Sequence, residues 1–331
     1  MARIDYPQRI ALARLPTPLE PLTGWLPQRG PSLWIKRDDL SGFGLSGNKV
    51  RKLEFVLAHA LNEGADTIIT CGGLQSNHAR ATALACAQLG LSCELILRGE
   101  PSGTADGNLF IDHFCGAAVH ALPVTQYRTG FDAVLEARKA ALTAAGKKPY
   151  FIPTGASDGI GVWGYVNAAE ELLGDCERAG FLPDAIVHAT GSGGTQAGLL
   201  AGLALQGVDI PVWGVNVCDD RAYFERKIAR DLADWQQRYR PAAVPTAESI
   251  RILEGYMGPG YGKTTEALRD VLRQAACRGL LLDPVYSGKA FQALLAESAD
   301  GIFSTMKHVV FVHTGGFFGA LDHRSELLTK G

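Results

Sequence analysis

The sequence has no excess of charge of either sign and no long apolar run. Its 32 Lys and Arg residues balance 34 Asp and Glu residues, and no block of like charges interrupts that balance. Nucleic acid and anionic membranes are therefore poor candidate partners. Apolar segments such as Asp184–Ala189 and His308–His313 are strand-sized, far short of the roughly 20 residues that cross a bilayer. These absences predict a soluble protein that does not act on membranes or nucleic acid.

Cysteine pairing motifs are also missing. The seven Cys residues form no C-x-x-C pair, and most of them sit inside apolar segments. This pattern predicts reduced thiols rather than disulfides or a zinc site, and we expect no metal. The first residues, 1–7, lack the apolar core of a secretory signal, so the expected location is the cytoplasm.

The chain does contain enough apolar sequence for a large core. With 331 residues, 47% hydrophobic and 20% charged, it is long enough for two domains and is not a disordered chain. Short apolar runs alternate with amphipathic segments, an order typical of an α/β fold with largely parallel sheets. Strands are predicted at Asp66–Cys71, Cys93–Arg98, Ala118–Leu122, Pro149–Pro153, Ala185–Ala189, Val212–Val217 and Val309–His313. Helices are predicted at Val50–Leu61, Ala79–Leu89, Phe131–Ala145, Val162–Leu173, Gln196–Leu205, Thr264–Ala276 and Lys289–Glu297.

The alternation also predicts a division into two domains. Residues 1–52 and 165–331 would form the larger one, and residues 53–164 a smaller α/β domain. The active site is expected in the cleft between them, because the carboxyl ends of strands from both sheets can point into it. Loops close to that site are expected over Leu232–Gly262, which is rich in polar, Pro and Gly residues.

A glycine turn that leads into an amphipathic helix marks the first candidate motif. Asn48 is the candidate N-cap, and Lys49 follows it in the first turn. There the helix dipole and the neighbouring Arg51 and Lys52 disfavour the ammonium form and so promote a nucleophilic amine. A lysine that forms a Schiff base needs this property. A solvated lysine at a helix start is the alternative interpretation of this segment.

Two further loops follow predicted strands and open predicted helices. Ser76, Asn77 and His78 offer donors at a helix N-terminus, which suits a carboxylate, although a simple helix cap explains them equally well. The run Gly191-Ser192-Gly193-Gly194-Thr195 allows the backbone to close around a phosphate. It lacks both the Gly-Lys-Ser/Thr ending and the G-x-G-x-x-G register, which favours a monophosphate over a dinucleotide. An ordinary glycine turn is the alternative.

Two other segments carry side chains suited to a site. Asp283-Pro284-Val285-Tyr286-Ser287-Gly288-Lys289 offers an aromatic face and a hydroxyl group. His313-Thr314-Gly315-Gly316 places a hydroxyl at the carboxyl end of a predicted strand, where ligands of α/β proteins bind. Core packing is the alternative interpretation of Tyr286.

Taken together, these five motifs resemble those of the D-cysteine desulfhydrase / 1-aminocyclopropane-1-carboxylate (ACC) deaminase family of pyridoxal-phosphate (PLP) enzymes. The similarity runs in order from Leu15-Pro16-Thr17-Pro18-Leu19 to Gly319, nearly the whole chain. The resemblance implies the fold of the tryptophan-synthase-β type, PLP fold type II, with two open, twisted, mostly parallel sheets flanked by helices. It also implies PLP as cofactor, a small amino acid as substrate and a homodimer.

The resemblance further implies how the cofactor is held. Lys49 would carry it covalently, Lys52 and the Gly191–Thr195 loop would bind its phosphate, and Asn77 would hydrogen-bond the ring hydroxyl. Ser287 and Thr314 would face the pyridine nitrogen.

The same resemblance implies the groups that meet the substrate. Ser76 would face its carboxylate and reactive carbons, together with Asn77 and His78, although the residues themselves predict no separate role for His78. Tyr286 would lie near the ring, and Tyr261 would be a second catalytic phenol.

Two branches of that family differ at the pyridine nitrogen. ACC deaminases carry Glu and Leu where this chain has Ser287 and Thr314. A carboxylate keeps the nitrogen protonated and makes the ring a strong electron sink, whereas a hydroxyl suffices when hydrosulfide departs. The expected reaction is therefore α,β-elimination of D-cysteine to pyruvate, hydrogen sulfide and ammonia. An ACC deaminase or a lyase for L-cysteate or a β-substituted alanine is the alternative; a nicotinamide-dependent oxidoreductase and a non-catalytic PLP-binding protein are more distant ones.

Overall fold

The computed structural model describes residues 3–26 and 30–328. The strands β1 to β10 are Leu19–Pro21, Ser32–Lys36, Thr67–Gly73, Ser92–Arg98, Ala118–Leu122, Pro149–Ile152, Ala185–Thr190, Val212–Asn216, Ile250–Leu253 and His308–Val312. The helices α1 to α11 are Asn48–Asn62, Asn77–Leu89, Gly107–Phe114, Val124–Ala144, Val162–Ala179, Gly194–Leu205, Arg221–Tyr239, Glu266–Cys277, Ser287–Asp300, Phe317–Ala320 and Arg324–Leu328. Within this part of the chain, no helix is long and apolar enough to cross a membrane.

The strands form two separate sheets. One has the order β5-β4-β3-β6 and is parallel throughout. The other has the order β1-β2-β10-β7-β8-β9 and is parallel except for the pair β1 and β2. Helices connect the parallel strands, as such crossovers require. The predicted α/β class with two mostly parallel sheets is confirmed.

Each sheet is built from the residues of one predicted domain, but the predicted domain boundaries do not fall between secondary-structure elements. All strands of the parallel sheet lie within residues 53–164, and all described strands of the other sheet lie outside them. Both boundaries, however, fall inside helices, α1 and α5. Residues 1–2, 27–29 and 329–331 of the larger predicted domain lie outside the described residues. The domain limits stay a prediction.

The expected loop over Leu232–Gly262 is wrong in two parts, because α7 continues to Tyr239 and β9 occupies Ile250–Leu253. Phe224, Ile228, Leu232 and Trp235 recur at helical spacing and are all buried. This single apolar stripe is enough to dock a helix whose remaining surface is polar.

A buried network of charges fixes the start of α1. The Arg51 guanidinium donates to both carboxylate oxygens of Asp38 and to Glu171, and the Tyr165 hydroxyl donates to Asp38 at 2.5 Å. Lys36 pairs with Glu171 from the other side. Arg51 belongs to α1, and Tyr165 and Glu171 belong to α5, so these bonds hold the two helices together. Breaking a buried pair of this kind is costly, which keeps the contact rigid. The first turn of α1 is thereby fixed in place.

Candidate active site

A cleft brings together loops from the carboxyl ends of both sheets. Its lining consists of Asn48, Lys49, Ser76, Asn77, His78, Thr154, Gly155, Ala189, Thr190, Gly191, Ser192, Gly193, Thr195, Tyr286, Thr314 and Gly315. Four predicted site residues are not part of this lining, namely Lys52, Gly194, Tyr261 and Ser287. Lys52 bonds to the lining residue Gly155 and Tyr261 to Tyr286, whereas Ser287 bonds to Asp283 outside the lining.

Lys49 enters the cleft from the first turn of α1. The helix is capped by Gly47, which has a φ of +95° and lies so close to Thr314 that a Cβ would come 2.6 Å from the Thr314 carbonyl oxygen. The predicted N-cap, Asn48, is therefore wrong: its side-chain amide instead donates to the Thr195 hydroxyl at 3.0 Å. This bond ties the lysine turn to the glycine loop.

The lowered pKa expected for Lys49 is present, but its cause differs from the expected one. Burial lowers this pKa from 10.5 to about 8. Arg51 does not act as the repelling cation, because Asp38 and Glu171 compensate its charge. At neutral pH the lower pKa raises the uncharged fraction of the amine by about three hundredfold. Burial therefore favours the uncharged, nucleophilic form of the Lys49 amine.

The glycine loop links the end of β7 to α6. Gly193 has a φ of +83°, and a Cβ there would lie 2.9 Å from the Ile228 side chain. A Cβ on Gly191 would lie 2.7 Å from the Tyr286 ring. The glycines thus let the loop pack closely against Ile228 and Tyr286 at the N-terminus of α6, and a helix N-terminus suits a phosphate.

Lys52 lies behind this loop rather than in the cleft. Its ammonium group is fully buried and donates to the Gly155 carbonyl at 3.2 Å and to the Ser157 hydroxyl at 3.3 Å. Burial and the neighbouring Lys49 hold the pKa of Lys52 well below its usual value. A Cβ on Gly194 would come 2.9 Å from the Lys52 nitrogen. The lysine therefore lies against the loop from underneath, where a bound phosphate would favour its charged form.

The Ser76 loop carries donors that are already oriented. Ser76 is the N-cap of α2 and accepts from the Ala79 N–H at 3.1 Å, which leaves its own O–H free to donate. The Asn77 oxygen accepts from the Asn108 amide at 2.9 Å, so its NH₂ group points away from Asn108. Asn108 and Gln75, which accepts from the Asn108 N–H, were not predicted, because no sequence pattern links them to this loop.

His78 anchors this loop to the sheet. The Thr70 hydroxyl donates to the Ile152 carbonyl at 2.8 Å, so it accepts from His78 Nε2, which lies 2.8 Å away. Burial, assisted by Lys49, holds the pKa of His78 well below its usual value. A neutral imidazole fixed in this way orients the start of α2.

The two predicted phenols meet each other. The hydroxyl groups of Tyr261 and Tyr286 are 2.7 Å apart, and Tyr286 lines the cleft whereas Tyr261 lies behind it. Burial raises the pKa of both, so both keep their protons. The Arg98 guanidinium lies 5.6 Å from the Tyr261 ring centre and reaches it from the other sheet.

Ser287 and Thr314 have different environments. The Ser287 hydroxyl is fully buried, donates to the Asp283 carboxylate at 2.5 Å and accepts from the Asp283 N–H at 2.9 Å. Thr314 lines the cleft, and its carbonyl accepts from the Asn48 N–H at 3.1 Å. The sequence did not reveal the contact of Asp283 with Ser287, which depends on the tight turn into α9.

A buried amine with a lowered pKa beside a glycine loop at a helix N-terminus, in a cleft between two mostly parallel sheets, is the arrangement of an α/β enzyme that holds a phosphorylated carbonyl compound. The chain belongs to the pyridoxal-phosphate dependent enzymes, because the model of that family matches residues 10–315. The family expected from the motifs is confirmed, and the cofactor is PLP.

Curated relatives and a solved structure agree with this assignment. The chain is 43% identical over 328 residues to an Arabidopsis thaliana protein named bifunctional D-cysteine desulfhydrase/1-aminocyclopropane-1-carboxylate deaminase, mitochondrial, with 94% of this chain and 79% of the relative covered. It is 38% identical to a D-cysteine desulfhydrase of Salmonella schwarzengrund, with 93% and 94% covered. The crystal structure of an ACC deaminase homologue matches with a TM-score of 0.86 at 34% identity, covering 97% of this chain and 95% of the other.

The residues of the cleft fit PLP chemically. Lys49 would supply the amine for its aldehyde carbon, and the Gly191–Thr195 loop would hold its phosphate. The Thr190 hydroxyl, at the end of β7 beside that loop, is buried without a hydrogen-bond partner. An unpartnered buried hydroxyl is costly, and a bound ligand would relieve that cost.

Proposed function

We propose that this PLP enzyme is a carbon–sulfur lyase that converts D-cysteine into pyruvate, hydrogen sulfide and ammonia by α,β-elimination. The observation that carries the proposal is the lining of the cleft, in which none of the described residues bears a carboxylate. A carboxylate beside the ring nitrogen is what opening an unactivated cyclopropane requires, whereas loss of hydrosulfide does not require one. ACC is the alternative substrate, favoured by the names of two of the similar proteins.

The cleft residues divide the work of this reaction. PLP, when bound, supplies the electron sink that makes the α-hydrogen of an amino acid acidic. Lys49, with its pKa lowered to about 8, takes that proton as a base. Ser76 and Asn77, at the N-terminus of α2, bind the substrate carboxylate. Tyr286, which keeps its proton, faces the cleft as a hydrogen-bond donor to developing charge.

Parallel assays test the proposal. D-cysteine, L-cysteine and L-cysteate would be compared by pyruvate release, and ACC by 2-oxobutanoate release. We expect D-cysteine to be the preferred substrate, and preference for ACC would overturn the proposal. Lys49→Ala should abolish turnover, and after borohydride reduction the pyridoxyl label should be found on the peptide that contains Lys49. A label on Lys52 or Lys289 would contradict the assignment of the lysine.

We also propose that the chain forms a homodimer. Phe43 and Phe114 are 90% and 82% exposed. They belong to two aromatic pairs, Phe43 with Phe318 and Phe110 with Phe114, with ring centres 5.9 and 5.4 Å apart. Exposed aromatic groups of this kind support a protein interface. Sedimentation should give a dimer for the wild type and a monomer for Phe114→Glu combined with Phe43→Glu; an unchanged mass would refute this surface.

The proposed location is the cytoplasm. All seven Cys residues are free in the structure, which agrees with a reducing compartment. Cell fractionation of the producing organism tests this directly, because recovery of the protein in a secreted or organellar fraction would contradict it.

A further inference from the structure

We propose that Lys289 is a positioning residue that holds the loop of residues 254–265, so that the Tyr261 phenol stays in contact with Tyr286. The inference rests on the proposed function only in taking the two phenols as part of the active site. Lys289 itself does not line the cleft.

The loop that carries Tyr261 has little structure of its own. Gly258, Gly260 and Gly262 all have positive φ angles, at +65°, +141° and +66°. Inside the loop, the Lys263 N–H donates a backbone hydrogen bond to the Gly260 carbonyl at 3.2 Å. A chain with so many accessible conformations loses considerable entropy when it is ordered. Contacts from outside the loop must therefore fix the position of Tyr261.

Lys289 supplies such contacts at two points. Its ammonium group donates to the Met257 carbonyl at 2.7 Å and to the Gly260 carbonyl at 2.8 Å. The side chain is only 1% exposed. These two carbonyls bracket the turn directly before Tyr261, so a single cation fixes both sides of it.

The same helix carries both the anchor and the partner of the phenol. Lys289 lies three residues after Tyr286, which immediately precedes α9. Further along α9, Glu297 accepts from the Tyr256 hydroxyl at 2.8 Å and holds the beginning of the loop. Because one rigid helix sets all these contacts, a shift of the loop moves Tyr261 relative to Tyr286.

The charge of Lys289 matters for this role. Three donors and no acceptor make an ammonium group suited to two carbonyl oxygens. Burial lowers the pKa of Lys289, and the nearby Asp283 carboxylate opposes that effect. A side chain of similar length without donors would keep the packing and lose both bonds.

The test compares Lys289→Met with wild type in the PLP-loaded protein, and the exposed Lys307→Met serves as the matched control. We expect amide hydrogen exchange to increase at residues 257–262 and kcat to fall about tenfold to a hundredfold, because small misplacements of catalytic groups have effects of that size. PLP content should remain unchanged. Lys289→Arg, which keeps the charged donors, should restore part of both properties.

A double-mutant cycle separates positioning from general damage. If Lys289 acts through Tyr261, then Lys289→Met added to Tyr261→Phe should lower kcat no further than Tyr261→Phe alone. Full additivity, or unchanged exchange over residues 257–262, would overturn the proposal. Should Lys289→Met not fold, Lys289→Gln replaces it in both measurements. Hydrogen exchange requires no substrate, so this readout still decides the inference if D-cysteine proves to be the wrong substrate.

Discussion

Replacing Lys49 by methionine should stabilise the protein when PLP is absent. Burial lowers the pKa of Lys49 from 10.5 to about 8, which means that the folded state disfavours the ammonium form. At about 1.36 kcal/mol per pKa unit this corresponds to at most about 3 to 4 kcal/mol. The side chain is partly accessible from the cleft, and water there reduces the cost. We expect Lys49→Met to raise the free energy of unfolding by about 2 kcal/mol at pH 7.

The sign of the pH dependence follows from the direction of the shift. In the unfolded chain Lys49 stays protonated up to about pH 10.5, whereas in the folded protein it loses its proton near pH 8. Between these values the unfolded state binds more protons, so the stability of the wild type rises with pH. The advantage of the methionine variant should therefore be largest below pH 8 and should shrink progressively towards pH 10.5.

Urea unfolding of the PLP-free proteins at pH 7 and pH 10 measures this difference directly. Lys307→Met controls for the loss of an exposed lysine and should change stability little at either pH. A Lys49→Met variant that is less stable than wild type at pH 7 would refute the reasoning. A stability difference that does not change between the two pH values would also refute it, because burial of the charge would then not be its cause.

Three further variants test other parts of the site. Gly193→Val should weaken PLP retention during dialysis, whereas Gly207→Val, at a positive φ with nothing within 4 Å, should retain PLP; equal retention would place the phosphate elsewhere. Asp38→Asn should lower the free energy of unfolding by about 3 to 5 kcal/mol in urea because Arg51 loses one of its two buried carboxylate partners, and a loss under about 1 kcal/mol would contradict this. Ser287→Glu with Thr314→Leu should lower pyruvate release from D-cysteine and introduce some 2-oxobutanoate release from ACC. Full retention of desulfhydrase activity would show that these hydroxyls do not select the reaction.

The parts of the site that lie at strand-to-helix junctions could be predicted from the sequence. The segments around Ser76 and Gly193 each combine a strand, a polar or glycine turn and a helix, and the segment around Lys49 combines a glycine turn and a helix. Such local patterns specify local geometry, and parallel strands place their carboxyl ends together. The cleft therefore followed from the sequence once the α/β alternation was recognised.

Compensation of charge across the chain could not be predicted in this way. Arg51 was expected to repel the ammonium group of Lys49, but it pairs with Glu171, which lies 120 residues away in sequence. Burial, which depends on the packing of both sheets, lowers the pKa of Lys49 instead. The direction of the effect was thus correct while its cause required the structure.

The environment of Ser287 changes what is expected of a substitution at this position. Because its hydroxyl donates to Asp283, its remaining free lone pair can only accept a hydrogen bond from any further group. Thr314, by contrast, can donate into the cleft. A glutamate at position 287 would place a second anion beside Asp283, and the two carboxylates would compete for a proton. Ser287→Glu alone should therefore place less negative charge beside a bound ring than an isolated glutamate would, because the new carboxylate would share a proton with Asp283.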